Sequence, residues 1–94
     1  MKVIGHFING REVASNSDRV ADIFNPATGE VQNKVSLGLA SELDDAVQKA
    51  TKAQPEWAAT NPQRRARIIM KFIDLLHRDM NELARVLSSE HGKT

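Results

Sequence analysis

The sequence predicts an α+β fold in which β-hairpins come first and two α-helices follow. Three observations carry that prediction. Asn9-Gly10 sits between two short stretches of strand-forming residues, the letters from Glu30 onward alternate between apolar and polar, and apolar residues from Ile69 to Leu87 recur every three or four positions. Strands first and helices afterwards is an order that argues against repeated βαβ units.

In HFINGREV, Asn-Gly tolerates the positive φ values of a two-residue type I′ turn, so Phe7-Ile8 and Arg11-Glu12-Val13 are read as the arms of a first hairpin. After the polar SNSD, VADIF leads into NPATG, where Pro26 presets φ and Gly29 gives a permissive exit, so a second turn is placed there. Beyond it, Val31, Val35 and Leu37 face one way and Glu30, Gln32, Lys34 and Ser36 the other, as a half-buried strand requires. Residues 1–40 make up the hairpin region.

Residues 41–94 make up the two-helix region. SELD has the form of a capping box, with Ser41 as the cap and Asp44 favouring the positive helix end. Leu43, Ala46, Val47, Ala50 and Ala53 keep helical spacing up to Pro55, which lacks an amide hydrogen and is expected to end or kink the helix. Asn61-Pro62 opens the second helix, the asparagine capping it and the proline occupying the position where a missing donor costs nothing. Ile69, Ile73, Leu76, Met80, Leu83 and Leu87 form a stripe that Ile68, Phe72 and Leu75 widen, and Ile73 and Leu76 are expected in the apolar core. Gly92 stands where helices commonly stop in a left-handed residue, with His91 and Lys93 suiting the negative end.

Composition narrows the functions. Ninety-four residues allow one small domain. The balance of 13 basic and 12 acidic residues, net charge +1, provides no field to attract nucleic acid or an anionic membrane, so neither is expected as a partner. Cysteine is absent, which removes disulfides, thiolate metal sites and a thiol nucleophile from these residues. With no signal-like apolar run near Met1 and no stretch of about 18 apolar residues, a cytoplasmic location is expected.

The candidate sites are weak. Gly92-Lys93-Thr94 is the closing triplet of a phosphate-binding loop, but such a loop needs a glycine where Leu87 stands, and a strand before it rather than a long helix. His6, His77 and His91 share no ligand spacing. Asp44-Asp45 and Asp79 with Glu82 are expected to be solvated or paired with neighbouring basic side chains rather than to do acid/base work. Arg64-Arg65-Ala66-Arg67 crowds positive charge at a helix start, where the dipole disfavours it, and reads as a solvated face or as a contact for an acidic partner surface. Trp57 is read as a packing anchor. No catalytic, cofactor-binding or metal-ligating residue is assigned.

Taken in order and spacing, HFINGREV, IFNPATGEV, ASELDDAVQKATKAQPEWAAT and RRARIIMKFIDLLHRDMNELARVLSSEHGKT resemble the N-terminal part of the NAD-dependent aldehyde dehydrogenase superfamily. Within it the blocks are most similar to the CoA-acylating methylmalonate-semialdehyde dehydrogenases. The resemblance implies a segment of the cofactor-binding domain, with NAD and coenzyme A serving the complete enzyme. The strands that grip NAD, the oxyanion asparagine and the catalytic cysteine fall downstream in the family pattern and map onto no residue here, so the segment is expected to be inactive alone. A structural cation site of some relatives maps in part onto Ile23, Phe24 and Glu90, with glutamate where those relatives carry aspartate, and it is not assigned. The same family includes hydrolytic, non-acylating members. Outside the enzyme reading, the chain is expected to self-associate as a homo-oligomer through the apolar face of its second helix, as a free-standing interaction module would.

Overall fold

Turn chemistry and alternation decide the first 36 residues of the computed structural model, which describes residues 1–93. Asn9 at φ 56° and Gly10 at φ 81° fold β2 (His6–Ile8) antiparallel onto β3 (Arg11–Val13), with Ile8 opposite Arg11. These are the two positive φ values that a type I′ turn demands. β4 (Val20–Phe24) returns as β5 (Val31–Ser36) through Asn25–Gly29. There the Asn25 carbonyl accepts from the amides of Thr28 and Gly29 at 3.2 and 2.7 Å, and its side-chain oxygen accepts from the Ala27 amide at 3.0 Å. Asp22 and Lys34 stand directly opposite each other on β4 and β5 and pair at 3.3 Å.

A further strand, β1 (Lys2–Ile4), has no counterpart in the sequence reading, because three residues are too few to show a period. It runs parallel to β5, giving a sheet of order β1-β5-β4 beside the separate β2–β3 ribbon. β5 is thus the central strand, paired along both edges. All six of its residues are half-buried, where the letters had suggested a sharper division between faces.

The helical region differs from expectation in three places. First, α1 (Ala40–Ala59) is capped at Leu39, which has no side-chain acceptor, and Glu42 takes over by accepting the Leu39 amide at 2.9 Å. The capping box expected at Ser41 lies out of register. Second, Pro55 does not end the helix: the lost amide costs one bond, while the good helix formers after it carry α1 to Ala59 and a close at Thr60. Third, the second helix is two, α2 (Pro62–Arg78) and α3 (Met80–His91), broken at Asp79 with φ −103° and ψ 16°. Aspartate is a poor interior residue and a good terminal one, and Arg78 clasps its carboxylate at 3.0 and 2.9 Å beside the break. The Asn61 cap is as expected, its side chain accepting from the Arg64 amide at 2.8 Å.

None of these elements closes a core. No described residue is fully buried, and Ile73 and Leu76 remain 43% and 37% exposed, against the expectation that they lie inside. The chain is a slab of 47 × 35 × 16 Å with a radius of gyration of 17.0 Å, where a compact chain of this length has about 12 Å. Its accessible surface is 7905 Å², against about 5,400 Å² for a compact monomer of 10.4 kDa, an excess of roughly 2,500 Å². That excess is the area of a large permanent interface.

A stability prediction follows from the missing core. In the isolated chain Leu76→Ala should cost well under the 2–5 kcal/mol (roughly) of a buried leucine, whereas Asn61→Ala should still cost about 0.5–2 kcal/mol through the lost cap. Urea titrations followed by circular dichroism, at a concentration low enough to keep the copies apart, check the order, and a larger loss for Leu76→Ala there would mean that α2 is covered within one copy.

Candidate functional site

The residues singled out by sequence are placed as follows. Asp44 accepts from Gln48 at 2.9 Å and Asp45 pairs with Lys49 at 3.0 Å, while Asp79 is held by Arg78 and Glu82 by Arg85 at 2.6 Å. Hydrogen bonds from those guanidiniums, ahead of their charge for Glu82, lower both the Asp79 and Glu82 carboxyls. Neither carboxylate pair converges on a shared proton. Among the described residues no three of His, Asp and Glu gather as a metal site would need. Trp57 lies in the last turn of α1, 42% exposed.

Gly92 caps α3 in the left-handed conformation, φ 80°, its amide donating to the Ser88 carbonyl at 2.8 Å, so the triplet that imitates a phosphate loop ends a helix; Thr94 lies outside the described residues. The end of α3 also meets the β4–β5 hairpin. The Gln32 amide donates to the Ser89 carbonyl at 3.0 Å, the Ser89 hydroxyl donates to the Gln32 side-chain oxygen at 2.6 Å, and a Cβ on Gly92 would stand 2.9 Å from Pro26. Ile23 and Phe24 in β4 and Glu90 in α3 are thereby brought to neighbouring elements.

The most connected polar group is Glu42, which sequence reading passed over for Ser41. Its Oε1 accepts from the Ser15 hydroxyl at 2.6 Å and the Leu39 amide at 2.9 Å and lies 3.0 Å from His6 Nε2; Oε2 accepts from the Asn16 amide at 2.8 Å. Against an ionised carboxylate, which only accepts, His6 Nε2 carries the hydrogen. The Ser15 bond first, then the Leu39 and Asn16 amides and His6, lower the Glu42 carboxyl from its ordinary 4.5 to about 2. One carboxylate thus ties β2, the loop after β3 and the start of α1 together. Its spacing from Leu39, three residues into the helix, was the available signal.

Because the folded carboxyl titrates below its ordinary value, its stabilisation is complete above pH 4.5 and is lost as pH falls from there toward about 2. Glu42→Gln should therefore loosen residues 6–16 at pH 7 and remove the corresponding limb from the acid titration of their hydrogen exchange. Superimposable wild-type and variant profiles would show that the carboxylate holds nothing.

One of the concavities is an open groove of about 720 Å³ along α2, lined by Ile68, Phe72 and Leu75 together with Arg64, Arg67 and Lys71. It is a helix face rather than an enclosed ligand pocket.

The sequence profile of the aldehyde dehydrogenase family matches residues 13–94. This chain belongs to the aldehyde dehydrogenase family. Among aldehyde dehydrogenase relatives, malonate-semialdehyde dehydrogenase of Pseudomonas aeruginosa is 42% identical over all 94 residues, which are 19% of its own length. The mouse mitochondrial methylmalonate-semialdehyde/malonate-semialdehyde dehydrogenase [acylating] is 39% identical over 88 residues, 94% of this chain and 16% of that protein. A solved Sinorhizobium meliloti structure, described as a methylmalonate-semialdehyde dehydrogenase complexed with NAD, superposes with a TM-score of 0.91 at 61% identity, covering 95% of this chain and 18% of that one. The resemblance read from the sequence blocks is borne out, and so is the α+β class. The chain spans about a fifth of the length of the aldehyde dehydrogenases it matches.

Proposed function

We propose that this chain is the N-terminal segment of a CoA-acylating malonate- or methylmalonate-semialdehyde dehydrogenase, to which it contributes scaffold while residues outside it perform the chemistry. The 61% identity at a TM-score of 0.91 to a methylmalonate-semialdehyde dehydrogenase carries the reading. In such an enzyme a cysteine thiolate attacks the aldehyde, hydride passes to NAD and coenzyme A cleaves the thioester. This segment has no cysteine to offer.

It also forms no NAD cradle. Phosphate-binding turns place glycines between a strand and the free amides of a following helix. Among the described residues the one passage from strand to helix is β5–α1, where Gly38 is the only glycine. A Cβ there would meet the His6 ring at 3.0 Å and Glu42 Oε1 at 3.4 Å, and Glu42 already occupies the Leu39 amide. The helix start is filled by the segment's own carboxylate.

A chimera tests the proposal: residues 1–94 replace the matching part of the Pseudomonas aeruginosa enzyme, and NADH formation is followed with malonate semialdehyde, NAD and coenzyme A. Activity is expected, and an inactive but folded chimera contradicts it. A second reading, a self-associating module, draws on the exposed α2–α3 stripe, where Phe72, Met80 and Leu87 are each more than half exposed. Both readings require that surface to be covered.

A further inference from the structure

The first three turns of α2 hold an unusual concentration of unanswered positive charge. Arg64, Arg65, Arg67 and Lys71 follow one another along the helix, and no acidic residue lies in its first turn. The helix dipole is positive at that end, so Arg64 and Arg65 in the first turn are disfavoured unless an anion answers them. Elsewhere on the helices Lys49, Arg78 and Arg85 each hold a carboxylate; among the described residues these four cations hold none. Arg65 Nε is, in addition, buried with no hydrogen-bond partner, a state that folded proteins seldom tolerate.

Three of the cations also line the groove over Ile68, Phe72 and Leu75, whose walls are open to solvent. Charge and apolar surface therefore coincide. A partner that filled this groove with aliphatic or aromatic side chains alone would bury the guanidinium edges unpaired, at the cost of their desolvation. A partner that brought carboxylates beside its apolar crest would answer Arg64, Arg67 and Lys71 along the groove, and guanidinium is well suited to such bidentate, desolvated pairs. A second copy of α2 would instead set basic edge against basic edge.

We infer that the face of α2 from Arg64 to Leu75 is the seat for an apolar ridge flanked by carboxylates, presented by the remainder of the enzyme polypeptide. The inference rests on the segment reading above, and it adds the chemistry of the contact: Ile68, Phe72 and Leu75 take the apolar crest, and Arg64, Arg67 and Lys71 take the acidic flanks.

The Pseudomonas chimera separates the two claims. Its NADH formation tests the segment reading; an inactive but folded chimera overturns that reading and the seat with it. In an active chimera, Arg67→Gln and Lys71→Glu should each lower the thermal melting temperature by several degrees, and the gap from the parent should narrow as salt rises from roughly 0.05 to 1 M. Lys52→Glu, which reverses an exposed charge on α1, is the control and should leave the melt in place. Equal shifts for Lys52→Glu, no shift for either α2 variant, or a gap indifferent to salt would overturn the acidic seat while leaving the segment reading intact. Should Lys71→Glu fail to fold, Lys71→Arg should restore the parent melt; failure of that rescue would also count against the seat.

Discussion

At tens of micromolar the 94-residue chain should run as a dimer or larger species, and replacing Phe72 and Leu76 together with aspartate should return it toward monomer. Phe72 and Leu76 lie one turn apart on α2 at 55% and 37% exposure, at the centre of the stripe that runs from Ile68 to Leu87. The chain exposes roughly 2,500 Å² beyond a compact monomer of its mass, polar and apolar surface together, and within it Ile68, Phe72, Met80 and Leu87 stand open along one continuous stripe, the kind of apolar patch that marks an interface. Shielding even about 400 Å² on each of two chains at about 25 cal/mol per Å² is worth on the order of 20 kcal/mol before association and ordering costs. Since both copies carry Arg64, Arg67 and Lys71 beside the stripe, added salt should strengthen the association by screening their repulsion. Multi-angle light scattering across salt decides it: a monodisperse monomer at every concentration would mean that the sheet and α1 cover α2 in solution.

The isolated chain should form no NADH from malonate or methylmalonate semialdehyde with NAD and coenzyme A, and should show no saturable NAD binding by calorimetry. Two independent features lead there. The thiol nucleophile on which the family chemistry depends is absent from the composition. Among the described residues, the single strand-to-helix passage that could present amides to a pyrophosphate is closed by Glu42 and His6 around Gly38. Glu42→Ala should not create binding, because one glycine leaves the loop too short to wrap the phosphates. Micromolar saturable NAD binding by the wild-type chain would contradict the second statement, and sustained NADH formation the first.

Local signals were legible wherever one residue type dictates one conformation. Asn9-Gly10, Pro26 with Gly29, Asn61-Pro62 and Gly92 each sit where the backbone requires them, and the turns and helix ends follow. The parallel pairing of β1 with β5 was not legible, because it joins residues about thirty positions apart and leaves no period in three letters. The break at Asp79 was hidden by a stripe that continues across it, although Asp79 and Glu82 have the spacing of a helix start. The core was misread for a different reason. Amphipathic spacing on α2 states that a face will be covered, not that this chain provides the cover, and Ile73 and Leu76 carry the same letters whether the lid is present or absent. The polar clamp escaped notice because its partners, His6, Ser15, Asn16 and Leu39, are scattered through 36 positions of sequence.

The claim beneath all of this is that the chain is a coreless scaffold whose chemistry and covering surface come from the rest of an aldehyde dehydrogenase. The most direct measurement is the NADH progress curve of the chimera that carries residues 1–94 on the remaining four-fifths of the Pseudomonas aeruginosa malonate-semialdehyde dehydrogenase. The account predicts NADH formation from malonate semialdehyde that depends on coenzyme A and falls within about an order of magnitude of the parent enzyme. A chimera that is soluble, folded and competent to bind NAD but forms no NADH would contradict it.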